Sequence, residues 1–335
     1  MKVLLFEWLT GGGLWLDNTS PDRVGNMLQQ GSAMVSAVGL DLAKFAEVDL
    51  LVDSRLNETL AADVANAPLG RLADIAKVHS IDDQQTLKTK LKSLASDADA
   101  ILLIAPETDN CLAKAIGWLG DDQHKLISPS LDFVLATSNK NHLADRLTER
   151  GFDNIPPGTP LDSFLERSQT QQSDWLPIVV KPADGAGSER IKFLDSPEAY
   201  QTWLAQLPTN QHSKFRVEKF VLGVPASIAA VCQSGAETVF FPAMKQILHP
   251  QPVGEYLRSE DSLSSDQQLR AKQLAARALS CLPATTGFLG FDIVLSDSNH
   301  SNEDMLIEIN PRITMSYLML SEKLNDGRIA KLMLN

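Results

Sequence analysis

Two short apolar segments near the end of the chain carry three oxygen-bearing side chains. Asp292 interrupts the first segment, and the second alternates Ile307, Glu308, Ile309 and Asn310. Alternate residues of a β-strand share a face, so Glu308 and Asn310 are predicted to point one way and the two isoleucines the other. If the two strands pair, Asp292 joins the polar set. A few carboxylate and amide oxygens suit Mg²⁺ whose shell is completed by water and phosphate.

Arg312 follows this pattern after one proline. Its planar guanidinium can bind a phosphate or a carboxylate through two parallel hydrogen bonds. The alternative interpretation is a strand pair with solvated acids and a structural ion pair. The complete set in this order favours a site for a metal and a phosphate, because a structural pair does not need all four side chains.

An apolar strand also delivers Lys181 to a loop that contains Gly185, Gly187 and Ser188. Glycine lets backbone N–H groups approach phosphate oxygens closely, and lysine supplies a mobile positive charge. The loop is not a Walker sequence, because Gly-Lys-Ser/Thr is absent. A plain hairpin turn is the alternative, and the loop alone does not decide between the two.

Two further segments carry candidate nucleotide contacts. Ser138 is predicted to cap a helix that has Lys140 in its first turn. Lys140 alone would usually be a solvated surface lysine. Glu218 and Phe220 lie on a short strand whose acid and apolar backbone edge could hold a ribose and an adenine. The alternative for that segment is an ordinary amphipathic strand.

The elements that must position these residues fall into two regions. Up to residue 136, short apolar strands alternate with helical periodicity, which predicts a parallel α/β domain. From residue 137 to 335, hairpin-like strands and one long helix predict an α+β domain with mostly antiparallel strands. The predicted strands are 3–6, 48–52, 100–105, 178–181, 214–221, 226–232, 237–241, 288–295 and 305–309, and the main helices lie around 32–45, 87–94 and 267–281.

The chain has 335 residues, with 30 Lys and Arg against 42 Asp and Glu, and therefore a formal charge of −12. Two domains fit this length, and the acidic balance argues against binding to nucleic acids or anionic membranes, which use basic patches.

Three cysteines far apart in sequence predict neither a zinc site nor a disulfide framework. The apolar run at residues 3–6 is short for a signal peptide and no run approaches a membrane span, so we expect a cytoplasmic protein.

The motifs occur in a family-specific order, with two lysines, a glycine loop, a glutamate, an aspartate and Glu-x-Asn-Pro-Arg. Over about residues 137–320 the chain resembles the ATP-grasp superfamily of carboxylate–amine ligases. The resemblance implies an ATP-grasp fold, α/β and α+β, with an N-terminal parallel α/β domain called the pre-ATP-grasp domain. It also implies ATP and Mg²⁺ as cofactors, with two ions expected and Mn²⁺ as an alternative metal.

The resemblance assigns a role to each of the residues above. Arg312 and Lys181 are expected to act in catalysis, Arg312 on the transferring phosphoryl group and the later intermediate. The residues assigned to the metal are Asp292, Glu308 and Asn310. The residues assigned to ATP are Lys140, Lys181, Gly185, Gly187, Ser188, Glu218 and Phe220.

One position departs from the family pattern. Many members carry an acid two positions after the glycine that is Gly223 here, and this chain has Pro225 instead. One contact to the ribose or the metal is therefore missing or supplied from elsewhere, with Glu218 as the candidate. Since the lysines and the metal motif are intact, we expect an active enzyme.

The sequence Phe-Glu-Trp-Leu-Thr-Gly-Gly-Gly at residues 6–13 resembles the opening of the tyramine–glutamate ligases, a branch of the same superfamily. These enzymes belong to methanofuran biosynthesis, and related genes occur in bacteria with tetrahydromethanopterin-linked one-carbon metabolism. The resemblance implies glutamate as the carboxylate substrate and tyramine or tyrosine as the amine. Small molecules are then the expected partners, and the resemblance allows a homodimer.

The glycine triplet also has a physical interpretation of its own. A strand that ends in glycines leaves free backbone N–H donors, and such a nest suits an anionic carboxylate. The alternative is a flexible turn with a solvated acid beside it. The residues predicted to bind the carboxylate are Thr10, Gly11, Gly12 and Gly13, and those predicted to receive an ammonium group are Glu7 and Glu107.

These observations predict a ligase that activates a carboxylate as an acyl phosphate, releases ADP and then transfers the acyl group to an amine. Another ATP-grasp ligase, such as an amino-acid or dipeptide ligase, is the first alternative. A nucleotide-binding regulatory protein without turnover is the second, and the loss of a metal residue would have pointed to it. A nicotinamide-dependent dehydrogenase is disfavoured, because Gly-x-Gly-x-x-Gly does not follow the first strand.

Overall fold

Three β-sheets and the helices around them make up the part of the chain that the computed structural model describes. The predicted phosphate-loop residues Gly187 and Ser188 lie outside the described residues. The described ranges are 1–56, 68–167, 169–185, 190–248, 256–297 and 303–335.

The first sheet is parallel, as the alternating pattern predicts, with the strand order β3-β2-β1-β4. Its two inner strands are apolar and buried, because helices cover both faces of a parallel sheet. The strands are β1 (Lys2–Glu7), β2 (Glu47–Asp53), β3 (Lys77–Ile81) and β4 (Ala100–Ile104), and the helices between them are α1 (Gly25–Leu42), α2 (Pro68–Ala73) and α3 (Gln84–Asp97).

Helix α1 and strand β3 of this region differ from the sequence prediction, and the short helix α2 was not predicted. Helix α1 begins at Gly25, before the predicted periodicity, and ends at Leu42, so Phe45 lies beyond the helix and is 40% exposed. Strand β3 was not predicted, because it is an edge strand with mostly exposed or half-buried residues and has no apolar run.

The second sheet is antiparallel and contains the strands with the acidic motif. Its order is β12-β11-β9-β13-β14, and β10 pairs with β9. Helix α10 packs against this sheet and begins with a capping box formed by Ser264 and Gln267. The bounds are β9 (Val224–Cys232), β10 (Val239–Phe240), β11 (Met244–Leu248), β12 (Tyr256–Glu260), β13 (Gly287–Leu295), β14 (Met305–Asn310) and α10 (Ser265–Ser280).

The third sheet is a small antiparallel sheet with its own apolar core, in the order β5-β8-β6-β7. One face of β6 packs Ile178 and Val180 into that core, and the other face presents Lys181 to the second sheet. The bounds are β5 (Gly158–Pro160), β6 (Ile178–Pro182), β7 (Lys192–Leu194), β8 (Phe215–Lys219), α7 (Leu161–Leu165), α8 (Gln169–Ser173) and α9 (Pro197–Gln206).

The remaining helices connect the sheets or close the chain. They are α4 (Cys111–Trp118), α5 (Leu131–Thr137), α6 (Lys140–Glu149), α11 (Ser316–Leu324) and α12 (Arg328–Leu334). Short 3₁₀ turns cover Gly13–Asp17, Pro21–Arg23, Ser54–Leu56, Thr108–Asn110, Gly120–Lys125 and Thr209–Lys214. Within the described ranges, every helix is too short or too polar to cross a lipid bilayer.

The cap of α6 is Asn139 and not Ser138, which corrects the sequence prediction. The Oδ1 atom of Asn139 accepts the backbone N–H groups of Asn141 and His142 at 2.9 and 3.3 Å. Asparagine reaches the second and third N–H groups of a helix as well as serine does, so either residue satisfied the sequence pattern. Lys140 is therefore the first residue of the helix.

One apolar core joins the two ends of the chain. Helix α1 contributes Val35 and Val38 to a cluster that also contains Phe288 of the second sheet and Tyr317 of α11. The buried carboxylate of Asp41 in α1 accepts a hydrogen bond of 3.0 Å from the hydroxyl of Tyr317. This packing fixes α1 against the second sheet, and the domain boundary at residues 136 and 137 stays a prediction.

Candidate active site

A cavity of about 440 Å³ lies where the second sheet, the third sheet and α1 meet. This volume falls in the range of small-molecule sites. Helix α1 supplies Asn26, Gln30 and Met34 to one wall. The predicted site residues that line the cavity are Lys140, Lys181, Gly185, Glu218, Phe220, Asp292, Glu308, Asn310 and Arg312. The structure thus brings together every described residue that was assigned to the nucleotide, the metal or catalysis.

The three candidate metal ligands meet because β13 and β14 pair antiparallel with Asp292 opposite Glu308. Asn310 donates a hydrogen bond of 3.0 Å from Nδ2 to Oδ2 of Asp292. The other oxygen of Asp292 accepts a bond of 2.8 Å from Nε2 of Gln246 in β11. Gln246 was missed in the sequence, because β11 has no alternating pattern that would have marked it as a strand.

Ile307 does not face the opposite layer as predicted. The pairing of β13 with β14 shifts by one residue after Asp292, so that Ile293 lies opposite Leu306. This irregularity leaves Ile307 on the cavity wall, whereas Ile309 enters the apolar core. A one-residue shift changes the face to which a side chain points, and an alternating sequence alone does not reveal it.

The two acids at this site have opposite pKa shifts. Burial, reinforced by the neighbouring Glu308 carboxylate, raises the pKa of Asp292 to about 7. Burial acts in the same direction on Glu308, but Lys140 and Lys181 outweigh it and lower the pKa of Glu308 to about 2. A carboxyl whose pKa is raised by burial and by a neighbouring carboxylate indicates a site that can accept further positive charge.

The donor set itself fits a hard cation such as Mg²⁺. Two carboxylates and one amide provide oxygen ligands, and Mg²⁺ usually keeps several waters and substrate phosphates in its shell. Among the described residues, no three or more His, Cys, Asp or Glu side chains form a complete metal-binding group. The protein would therefore supply only part of the coordination shell.

The raised pKa of Asp292 makes a prediction about stability in the absence of metal. An unfolded Asp has a pKa of about 3.9, so the folded chain holds this proton more tightly. Stability is therefore lost as the pH rises from about 4 through the folded pKa of about 7. Asp292→Asn has no proton to lose, and we expect its melting temperature to rise relative to that of the unaltered protein between pH 5 and pH 8.

The measurement is a thermal melt of both proteins in EDTA across this pH range. The informative quantity is the way in which the difference between the two melting temperatures changes with pH. The difference at one pH is not enough, because the amide also alters hydrogen bonds with Gln246 and Asn310 at every pH. A difference that stays constant from pH 5 to pH 8 would show that Asp292 does not titrate in this range.

Lys140 is buried and faces the acids, so the surface-lysine alternative is wrong. Its Nζ lies 3.1 Å from Oε2 of Glu308 and donates a bond of 2.8 Å to the carbonyl of Gly185. Burial would lower the pKa of Lys140, but the Glu308 carboxylate outweighs it and raises the pKa. Its backbone N–H also donates to the carbonyl of Ala183 at 2.7 Å, which ties α6 to the loop after β6.

A second buried ion-pair network connects Lys181 and Arg216 through Glu218. Oε2 of Glu218 lies 2.6 Å from Nζ of Lys181, and its Oε1 accepts a bond of 2.7 Å from Nε of Arg216. Arg216 was missed, although Arg216 and Glu218 are two positions apart and therefore lie on the same face of β8. Since each carboxylate oxygen already has a cation, Glu218 holds Lys181 in place, and its contact with a ribose stays a proposal.

The segment that joins the third sheet to the second forms an apolar wall of the cavity. Phe220 packs edge to face on Phe193 with centroids 4.9 Å apart, and its N–H donates to the carbonyl of Pro177 at 3.0 Å. Gly223 has φ +149°, and a Cβ atom there would lie 2.3 Å from the carbonyl oxygen of Leu295. Only glycine fits this crossing point. Pro225 lines the same cavity.

Arg312 is held by Glu107, which corrects the prediction that Glu107 receives an ammonium group. Nε and Nη2 of Arg312 donate to the two carboxylate oxygens of Glu107 at 2.9 and 3.0 Å. This bidentate pair connects the end of β4 to the end of β14 and occupies both oxygens of Glu107. The guanidinium remains on the cavity wall beside Asn310.

The predicted carboxylate nest at residues 10–13 is wrong, because the turn is buried away from both cavities and three of its four backbone N–H groups are used within the turn. Thr10 donates its N–H to Oε2 of Glu7, Gly11 to the carbonyl of Glu7 and Gly13 to the carbonyl of Trp8, each at 2.7 Å. The whole turn is buried and lines neither cavity beside Arg312. The turn is therefore structural.

The glycines of this turn are required by packing. A Cβ atom at Gly13 would lie 2.5 Å from the indole nitrogen of Trp8. Gly12 has φ +99°, and a Cβ atom there would lie 2.6 Å from the Ile81 side chain. A larger residue at position 12 would thus test packing and not anion binding.

Glu7 is buried, with 2% of its surface exposed, so the alternative of a solvated acid is also wrong. It accepts hydrogen bonds from the N–H groups of Leu9 and Thr10 and from the Thr10 hydroxyl, at 3.2, 2.7 and 2.8 Å. Burial raises the pKa of Glu7, although these bonds oppose the shift. Together with Arg312, it lines a recess of about 40 Å³ next to the main cavity.

Comparison with protein families matches most of the chain to two domain families. The ATP-grasp domain family matches residues 137–316, which is more than half of the chain. The pre ATP-grasp 3 domain family matches residues 47–132.

Individual relatives are distant in sequence. A formate-dependent phosphoribosylglycinamide formyltransferase from Prochlorococcus marinus (strain MIT 9312) is 22% identical over 83% of this chain and 70% of its own length. A solved protein from Archaeoglobus fulgidus, described as belonging to the ATP-grasp superfamily, has a TM-score of 0.67 at 20% identity, over 96% of this chain and 84% of the other. N5-carboxyaminoimidazole synthase from Aspergillus clavatus was solved with ADP and 5-aminoimidazole ribonucleotide. It has a TM-score of 0.62 at 17% identity, over 94% of this chain and 70% of the other. The two structural likenesses show the fold.

Proposed function

The chain belongs to the ATP-grasp family, and we propose that it joins the carboxylate of glutamate to an amine such as tyramine or tyrosine. As a member of this family, it is an ATP-dependent, ADP-forming ligase. The observation that carries the proposal is a single cavity lined by two buried lysines, the Asp292–Glu308 acid pair and Arg312. The choice of glutamate and of a tyramine-like amine rests on the N-terminal sequence resemblance.

ATP would lie between the second and third sheets. Lys140 and Lys181 approach from two sides and would contact its phosphates, while the apolar wall at Phe220 would cover the adenine. Both lysines are already paired with acids, so phosphate oxygens would replace or extend contacts that exist without ligand. The glycine loop is proposed to cover the phosphates, with Gly185 at its described end.

Mg²⁺ would be held by the side-chain oxygens of Asp292, Glu308 and Asn310. A cation there would also offset the repulsion between the carboxylates of Asp292 and Glu308. When bound, Mg²⁺ would neutralise charge on the phosphates of ATP. The number of ions is part of the proposal, with two expected.

The reaction would proceed in two steps. First, a carboxylate oxygen of the substrate attacks the γ-phosphorus of ATP, the bond to the ADP oxygen breaks, and an acyl phosphate forms. Second, the amine nitrogen attacks the acyl carbon, and inorganic phosphate leaves with the electrons of the C–O bond. Lys140, Lys181 and Arg312 would stabilise the charge that develops on the transferring group and on the tetrahedral oxygen. A closed loop over the phosphates would keep water from the acyl phosphate.

The direct test is to incubate the purified protein with Mg-ATP, L-glutamate and either tyramine or tyrosine, and to follow ADP and product mass together. We expect ADP release that depends on both substrates, and a product whose mass is the sum of the two substrates less one water. ADP release with formate or another carboxylate, and none with glutamate, would keep the ligase and replace the glutamate assignment.

A further inference from the structure

A recess between Glu7 and Arg312 adjoins the main cavity, in which the acyl phosphate is proposed to form. It has a volume of about 40 Å³ and shares Gln30, Met34 and Arg312 with the main cavity. A water molecule in the liquid occupies about 30 Å³, so the recess has room for a group of the size of a terminal ammonium.

The unpaired charge on the described wall of the recess is negative. Glu7 lines it with a carboxylate that forms no ion pair with any described residue, and its three hydrogen bonds fix the orientation of the side chain. Arg312 is the one cation among the described residues that line the recess, and it is already bound to Glu107. The other described residues that line the recess are uncharged, among them Gln30, Met34 and Ile104.

We propose that Glu7 receives the ammonium group of the acceptor and removes one of its protons before the amine attacks the acyl phosphate. This inference rests on the proposed function and assigns the proton acceptor for its second step. It also sets the class of acceptor, a small primary amine with no phosphate close to its nitrogen. A phosphate would be repelled by the Glu7 carboxylate, and the cation on the described wall, Arg312, is already paired with Glu107.

The proton and electron balance is complete with the groups present. The ammonium gives one proton to the Glu7 carboxylate and becomes a neutral amine. Its lone pair forms the C–N bond while the C–O bond to phosphate breaks, and phosphate takes the electron pair. The second proton leaves the nitrogen with the departing phosphate, and Glu7 returns its proton to solvent.

Two features of the surroundings suit this role. Burial raises the pKa of Glu7, which makes the carboxylate a stronger base than an exposed glutamate. The charged neighbours are Arg312 and its partner Glu107, since the lining residues of α1 are uncharged. Gly31 in α1 packs directly on the carboxylate, because a Cβ atom there would lie 2.8 Å from Cδ of Glu7.

The test compares two nucleophiles on the same acyl phosphate. Hydroxylamine is neutral in mildly alkaline buffer and needs no base, so it traps the acyl group as a hydroxamate, whereas tyramine must first lose a proton. With Mg-ATP and L-glutamate, we expect Glu7→Gln to lower the ratio of amide formation to hydroxamate formation by about 10²-fold, the usual contribution of a general base. Glu7→Asp, a shorter acid, should restore part of the ratio.

A second variant tests the recess and keeps the carboxylate of Glu7. Gly31→Ala places a methyl group against Glu7, and we expect about 10- to 100-fold less amide formation relative to hydroxamate formation. The matched control is Gly117→Ala in α4, where a Cβ atom meets nothing within 4 Å. This control should leave both rates unchanged.

The outcomes separate the two claims. An unchanged amide-to-hydroxamate ratio in Glu7→Gln or Gly31→Ala, with wild-type hydroxamate formation, overturns the role of Glu7 and keeps the ligase. Absence of glutamate hydroxamate with the unaltered protein overturns the proposed glutamate ligase, and the role of Glu7 falls with it.

Discussion

Glu308→Gln is expected to reduce glutamate-dependent ADP formation by about 10²–10³-fold while the protein stays folded, since this is the usual cost of losing one electrostatic contact to the transition state. Glu308 lies opposite Asp292 and 3.1 Å from Nζ of Lys140, so one carboxylate belongs to the proposed metal set and also pairs with a lysine that is proposed to bind phosphate. The amide retains the shape of the side chain but removes the charge. Asp292 also loses the neighbouring charge that raises its pKa.

The measurement is the ADP release rate with and without glutamate, together with a thermal melt to verify folding. Glu322→Gln on the exposed side of α11 is the matched control, because it removes the same charge far from the acid pair. This control should keep full activity. Turnover of Glu308→Gln within a few-fold of the unaltered rate would remove Glu308 from the metal set.

Lys181→Met is expected to weaken ATP binding by about 10- to 100-fold, the equivalent of one charge-assisted hydrogen bond. The same change should lower the melting temperature, because breaking one partner of a buried ion pair costs about 3–5 kcal/mol. Lys181 is 3% exposed and lies 2.6 Å from Glu218, whose second oxygen would still have Arg216. The remaining arginine should limit the loss of stability.

Calorimetric titration with ATP and a thermal melt measure the two effects. Lys192→Met on the neighbouring strand β7 is the matched control, because this lysine is exposed and lies away from Glu218. Unchanged ATP affinity in Lys181→Met, despite a lower melting temperature, would make Lys181 a structural partner of Glu218 and remove it from the nucleotide site.

The acid pair was predictable from sequence because it depends on short-range geometry. Alternation in β14 put Glu308 and Asn310 on one face, and a single acid in an apolar strand marked Asp292 as its partner. The parallel first sheet and antiparallel later sheets were predictable for the same reason, since strand length and apolar periodicity are local properties. The register shift that turned Ile307 into the cavity depends on the pairing itself and left no local signal.

Contacts between distant segments were harder to predict. Glu107 and Arg312 are separated by 205 residues, and their pairing is set by the fold that brings the ends of β4 and β14 together. The turn at Gly12 and Gly13 gave a pattern consistent with free N–H donors, but its packing against Trp8 and Ile81 could be seen only in three dimensions. The pairing of Arg216 with Glu218 could have been predicted from the sequence, because the two residues alternate on β8.

The most direct test of the account is the fate of the oxygen atoms of the carboxylate substrate. Glutamate labelled with ¹⁸O in its carboxylates should be incubated with the protein, Mg-ATP and tyramine, and the released phosphate analysed by mass spectrometry. An acyl phosphate requires that one labelled oxygen atom of glutamate be found in each phosphate that is released. The nucleotide product is then ADP. Unlabelled phosphate formed at the same rate as the amide would contradict carboxylate activation in this cavity.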